Sequence, residues 1–63
     1  MFRENLNKII HRKNLSENEM SGMITEILSG NITDAQIGAF VAALATKGET
    51  FEELAGAAKA MRK

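Results

Sequence analysis

Three helix-start signals stand at a constant interval of seventeen residues: Ser16 with Glu19, Thr33 with Gln36, and Thr50 with Glu53. In each, a hydroxyl accepts from a free backbone N–H of the first turn, while the Glu or Gln three residues on reaches back to the cap. Leu15 with Met20, and Ile32 with Ile37, flank the first two caps at the spacing of a hydrophobic staple. Gly30 and Gly48 suit the ends of the second and third helices. The interval is short for a solenoid array, whose periods run from about 20 to 50 residues. Equal helix lengths in a compact bundle account for it better. With no proline and no alternating β-branched run, no strand is indicated. The predicted fold is all-α: a compact bundle of four short helices, one domain over residues 1–63.

Between the caps, apolar residues recur at helical spacing. Phe2, Leu6, Ile9 and Ile10 stripe the first helix, and His11, Arg12 and Lys13 close it with the charge a helix C-terminus favours. Asn14 suits the left-handed position beyond. Met20, Met23, Ile24, Ile27 and Leu28 stripe the second helix, with Gly22 on the opposite side at a cost of about 1 kcal/mol relative to alanine. Ile37, Phe40, Val41 and Leu44 stripe the third, and Leu54, Ala57, Ala58 and Met61 the fourth. The third is the expected centre of the bundle. Ala35, Gly38, Ala39, Ala42, Ala43 and Ala45 leave it almost no polar surface, and such a helix is normally buried on more than one side.

A core of 63 residues rarely supplies more than about 3–5 kcal/mol unaided. Three caps at about 1 kcal/mol each are comparable to that, so local signals carry much of the fold specification. Acids in the first turns (Glu17, Glu19, Asp34, Glu52, Glu53) and bases in the last (Lys47, Lys59, Arg62) complement the helix dipoles. The chain has no cysteine, hence no disulfide and no thiolate metal site, which suits a reducing compartment. Zero net charge argues against a nucleic-acid footprint. No apolar run approaches the ~20 residues of a membrane span, and the polar, periodic N-terminus is unlike a signal peptide. A cytoplasmic protein is expected. The size leaves no room for a substrate pocket with supporting residues around it, so a complete enzyme is not expected.

The candidate chemistry is thin. His11 is the only histidine, and beside Arg12 and Lys13 it reads as a surface residue at a helix end. Glu52 and Glu53 are adjacent and point about 100° apart, so capping explains them better than an acid–base pair. The turns SGNIT and KGET each place a glycine before a helix start, where phosphates often bind. Here Thr33 and Thr50 take the free N–H groups, and Asp34, Glu49 and Glu52 would repel an anion. A helix-turn-helix reading fails because the third helix offers alanine and glycine where base-reading side chains should stand. Met20 and Met23 are core fillers. What survives is the small-residue side of the third helix, together with Gly56 and Ala60. It is either tight packing within the bundle or a docking surface for another domain or a second copy.

LSENE at Leu15–Glu19, ILSGNITDAQIGAFVAAL at Ile27–Leu44 and KGETFEELAGAAKAMR at Lys47–Arg62 carry a resemblance over essentially the whole chain. It resembles the N-terminal helical domain of the anthranilate phosphoribosyltransferases, within the pyrimidine phosphorylase-like superfamily. The KGET ending is the most specific part. Pyrimidine nucleoside phosphorylases, with a related helical domain, are the alternative parent family, and a free-standing helical interaction module is the alternative of another class. The resemblance implies magnesium-dependent transfer of a phosphoribosyl group from phosphoribosyl pyrophosphate to anthranilate, in tryptophan biosynthesis. It implies a homodimer paired through this domain, and a following α/β catalytic domain that opens on a GTGGD loop. That loop lies beyond Lys63, so no catalytic, cofactor-binding or metal residue of the family falls on a position here, and the chain alone is expected to be inactive. The expected dimer contact is two-fold and centred on Ala35, Ala39, Ala42 and Ala43, with Phe40, Val41 and Leu44 turned to the core and the first helix flanking.

Overall fold

All three capping boxes close in the computed structural model, which describes residues 2–62. Their reciprocal hydrogen bonds start α2 (Glu17–Leu28), α3 (Asp34–Lys47) and α4 (Phe51–Met61), and α1 (Phe2–Ile10) precedes them. Four helices and no strand among the described residues give the expected all-α bundle. Gly30 and Gly48 take the left-handed conformation at the two breaks, with φ of 83° and 88°.

The end of α1 differs from expectation. Arg12, not Asn14, is left-handed (φ 62°). Arg12 N–H donates to the Ile9 carbonyl (2.9 Å) and Lys13 N–H to the Lys8 carbonyl (2.8 Å), a Schellman closure. That motif fixes the left-handed residue two positions after the last helical one, so Asn14 stands too far along. His11 Nδ1 donates to the Asn7 carbonyl (2.8 Å), which gives this exposed side chain a capping role.

Helices pair with their second neighbours. α2 packs along α4 and α1 along α3, while α2–α3 and α3–α4 scarcely touch among the described residues. Both pairs run parallel. Leu15 N–H meets Glu53 at the start of α4, Gly56 lies against Glu17 and Met20, and Ala60 neighbours Thr25 and Leu28. In the other pair Phe2 meets Phe40, ring centroids 6.0 Å apart, and Ile9 and Ile10 lie beside Ala42, Ala43 and Thr46. One core joins both: Phe2, Ile9, Leu15, Met20, Met23 and Phe40 are buried together, with Leu6, Ile24, Ile27, Ile32, Ala43, Leu44 and Ala57 packed around them.

The molecule measures 29 × 26 × 17 Å. Its short dimension is under two helix diameters of about 10–12 Å, so no helix has room to be enclosed on all sides. The expectation of α3 as the central helix is therefore overturned: Phe40 is its one buried residue, and it rests mainly on α1. Its rotation differs too. Gln36, Phe40, Ala43 and Lys47 share a face at i, i+4, i+7 and i+11, and drawing Lys47 inward brings Ala43 against the core and turns Val41 out, 57% exposed. The fourth stripe is likewise corrected. Glu53, Gly56 and Ala60 face inward, whereas Leu54, Ala58 and Met61 face out. Gly56 is required there, because a Cβ would collide with the Glu17 carbonyl and press on Met20. Gly56 and Ala60 are thus interior packing, not part of an outer surface.

Candidate functional site

Two features stand out on this scaffold, a buried ionic junction and an uncovered face of small side chains. The junction forms where the α3–α4 turn meets the α1–α2 loop. Glu53 Oε1 accepts from Lys47 Nζ (2.8 Å) and Thr50 N–H (2.9 Å), and Oε2 accepts from Leu15 N–H (2.7 Å). Lys47 Nζ also donates to Asn14 Oδ1 (3.1 Å) and the Gly48 carbonyl (2.8 Å). The two side chains are 5% and 0% exposed, so the pair is sealed from water. Burial opposes the Glu53 charge, but the Leu15 N–H, the Lys47 ammonium and the Thr50 N–H outweigh it and hold the carboxyl below its ordinary value. No buried side-chain polar atom among the described residues lacks a partner. Every donor is committed, so the junction has no free group for acid–base chemistry. Its work is structural, joining four segments at one point.

Sequence reasoning found Lys47 and Glu53 only as dipole and cap residues. Their separation of six is not a helical pairing interval, and the Leu15 N–H is supplied from 38 residues away. The one hint was KGET itself, a lysine, a left-handed glycine and a cap in immediate succession. Elsewhere Lys8 reaches Glu19 (2.9 Å) across α1 and α2, partly in solvent. Lys8 first, then the Ser16 N–H, lowers the Glu19 carboxyl below its ordinary value.

The small-residue face lies on α3. Ala35, Ala39 and Ala42 are exposed there, along with Gly38, Val41 and Ala45. Ala43, expected with the first three, is half-buried at their margin and packs on the core. Beside it, Ile9, Ile10, Ala42, Ala43 and Thr46 line a shallow groove of about 350 Å³ between α1 and α3, with Arg12 and Lys47 at its polar edge. Ile10 is 55% exposed, so α1 continues the apolar surface. Glu52 and Glu53 do not converge as an acid–base pair, since one is exposed and the other is locked in the junction. Among the described residues no group of three or more His, Cys, Asp or Glu is placed to hold a metal ion. Among the described residues no helix is long and apolar enough to cross a membrane.

Comparison with known proteins gives this scaffold a context. Residues 3–63 match the glycosyl transferase family, helical bundle domain. The chain is 70% identical over 63 residues to an anthranilate phosphoribosyltransferase of Desulfosudis oleivorans, 65% to that of Syntrophobacter fumaroxidans and 54% to that of Desulfatibacillum aliphaticivorans. Each alignment covers 100% of this chain and 19% of the relative, so the chain spans about a fifth of their length. No solved structure matches it significantly.

Proposed function

Because this chain belongs to the glycosyl transferase family as its helical bundle domain, we propose that it is the N-terminal domain of an anthranilate phosphoribosyltransferase. The enzyme so assembled transfers phosphoribosyl from phosphoribosyl pyrophosphate to anthranilate, a step of tryptophan biosynthesis, in the cytoplasm. The observation that carries this reading is identity of 65–70% across all 63 residues with relatives bearing that name. The residues here do not fit a magnesium site, so the metal, the pyrophosphate and the reacting atoms are handled by the α/β catalytic domain that completes the enzyme. The test is a chimera joining residues 1–63 to the remainder of the Desulfosudis oleivorans enzyme. It should consume anthranilate when given phosphoribosyl pyrophosphate and magnesium, whereas the 63-residue chain alone should not. A chimera that folds and stays inactive would refute the reading.

The domain's own contribution is pairing and hinge support. A two-fold contact centred on Ala35, Ala39 and Ala42, with Ala43 at its floor and Ile10 at its flank, is supported by the exposure of this face, whose small side chains let two backbones approach closely. A stable interface buries about 1,000 Å² or more, and a contact made mainly by alanine side chains contributes little area per residue, so the 63-residue chain should pair weakly. Sedimentation equilibrium reads this out. Ala42→Arg should leave a helical monomer, and a parent chain that is monomeric at all concentrations would refute the contact.

A further inference from the structure

Divided at the α2–α3 turn, the molecule falls into two halves, residues 2–30 and 31–62, that pack on each other far more than within themselves. α1 of the first half lies on α3 of the second, and α2 of the first on α4 of the second. Within the halves, α1 meets α2 lightly and α3 scarcely touches α4. Polar contacts cross the same divide: Leu15 N–H donates to Glu53 (2.7 Å), Lys47 Nζ to Asn14 Oδ1 (3.1 Å) and Lys59 Nζ to Asn18 Oδ1 (3.4 Å). Of the residues buried together in the core, the second half supplies Phe40, and Phe40 meets Phe2 of the first. Neither half has a complete core of its own. The turn between them adds little to their recognition. Ser29 and Gly30 N–H groups donate back to the Thr25 and Ile27 carbonyls of α2, and Thr33 N–H donates forward to Gln36 of α3. Between them Asn31 is exposed and Ile32 packs on the core.

We propose that each half also recognises its complement on a second copy of this chain, so that two chains exchange halves about residues 29–33. In the exchanged dimer α1 and α2 of one copy sit on α3 and α4 of the other, and the contacts between halves re-form across the two chains. The closed monomer and the exchanged dimer then differ in the turn and the tether, not in packing. A short flexible tether is equivalent to an effective concentration in the millimolar range. The monomer therefore dominates far below that concentration, and the exchanged dimer competes near it. A turn too short to fold back removes the monomer's advantage, which is how hinge-loop changes drive exchange. This pairing is separate from contact through the α3 small-residue face, because each re-formed bundle keeps Ala35, Ala39 and Ala42 on its outside.

Cross-linking of the 63-residue chain tests this. The chain contains no cysteine, and Asn18 and Lys59 are exposed neighbours on α2 and α4, so Asn18→Cys and Lys59→Cys place thiols on the two sides of one inter-half contact. Both carry Ala42→Arg, which removes pairing through the α3 face. The two variants are mixed, unfolded in urea, refolded together at millimolar concentration and bridged with a short bismaleimide. Mass spectrometry then counts the bridges between chains. Random collision gives as many 18–59 bridges as 18–18 and 59–59 bridges combined, whereas exchange should make the 18–59 bridge severalfold more abundant than those two together. Equal abundance overturns the proposal. A chain bearing both cysteines should bridge internally at micromolar concentration, and failure to do so also overturns it, by removing the adjacency of α2 and α4. Deleting Gly30 and Asn31 supplies an independent reading by sedimentation equilibrium and circular dichroism. The shortened chain, again with Ala42→Arg, should be a helical dimer at micromolar concentrations where the parent is monomeric. A shortened chain that stays monomeric, folded or unfolded, overturns the exchange.

Discussion

Glu53→Gln should unfold this domain in water, although the two side chains differ by one group. A carboxamide keeps one carbonyl oxygen, enough for Lys47 Nζ and Thr50 N–H, which share Oε1 in the parent. Its amide nitrogen then faces the Leu15 N–H, donor against donor, where a carboxylate oxygen had accepted at 2.7 Å. Leu15 is buried, so water does not take over, and an unsatisfied buried donor costs about 1–3 kcal/mol. Lys47, also sealed, loses its counter-charge and keeps only neutral acceptors: the carboxamide oxygen, Asn14 Oδ1 and the Gly48 carbonyl. Breaking a buried ion pair from one side costs about 3–5 kcal/mol in all, which is the whole stability of a core this small. Lys47→Met should cost less, about 1.5–3 kcal/mol, because the Glu53 carboxylate retains two backbone donors and the favourable N-terminal turn of α4. The double variant should cost less than the two single costs added together, since it leaves no unpaired charge. Urea titration followed by circular dichroism measures all three. A Glu53→Gln midpoint indistinguishable from the parent, or Lys47→Met as the more damaging change, would refute the assignment of Glu53 as the hub.

Glycine-to-alanine changes should act in opposite directions at two sites. Gly22→Ala, with nothing within 4 Å of the added carbon, should stabilise by about 1 kcal/mol, while Gly56→Ala should destabilise by forcing α4 off the Glu17 backbone; thermal melts of both decide it. Arg12→Gly should stabilise by about 1 kcal/mol, because only the left-handed strain at φ 62° is relieved, and denaturant titration checks the sign. Glu19 and Glu53 both have folded-state pKa values below the ordinary 4.5, so the unfolded chain binds protons more readily. Their contribution is present above about pH 4.5 and lost as pH falls through the folded-state values, an acid-side decline that melts across a pH series should display.

Local rules were legible in the sequence because they depend on residues three or four apart. The caps at Ser16, Thr33 and Thr50 and the breaks at Gly30 and Gly48 are all formed as read. Helix rotation was not legible, because it is set by partners distant in the chain. Val41 and Ala43 exchange roles since Lys47 must face Glu53, and Leu54 turns outward since Gly56 must face Glu17. Periodicity marks an apolar arc but does not tell a buried arc from an exposed one. In α4 both are present on opposite sides, and the larger residues lie on the outer one.

Pairing between second neighbours also constrains how the protein is made. Among the described residues the one consecutive contact of note, α1 against α2, is small, whereas α2 seats on α4 and the Leu15–Glu53 bond closes across 38 residues. Consecutive helices therefore do not close as hairpins as the chain emerges from a ribosome, and the α2–α4 pair waits for the fourth helix. The side of α2 that meets α4 has no seat until that helix follows, and the interval from Thr33 to Thr50 alone takes about one to three seconds at ordinary rates of synthesis. Through that interval the α4-facing side of α2 stands open to chaperones, for a time governed by translation speed and not by the stability of the finished fold.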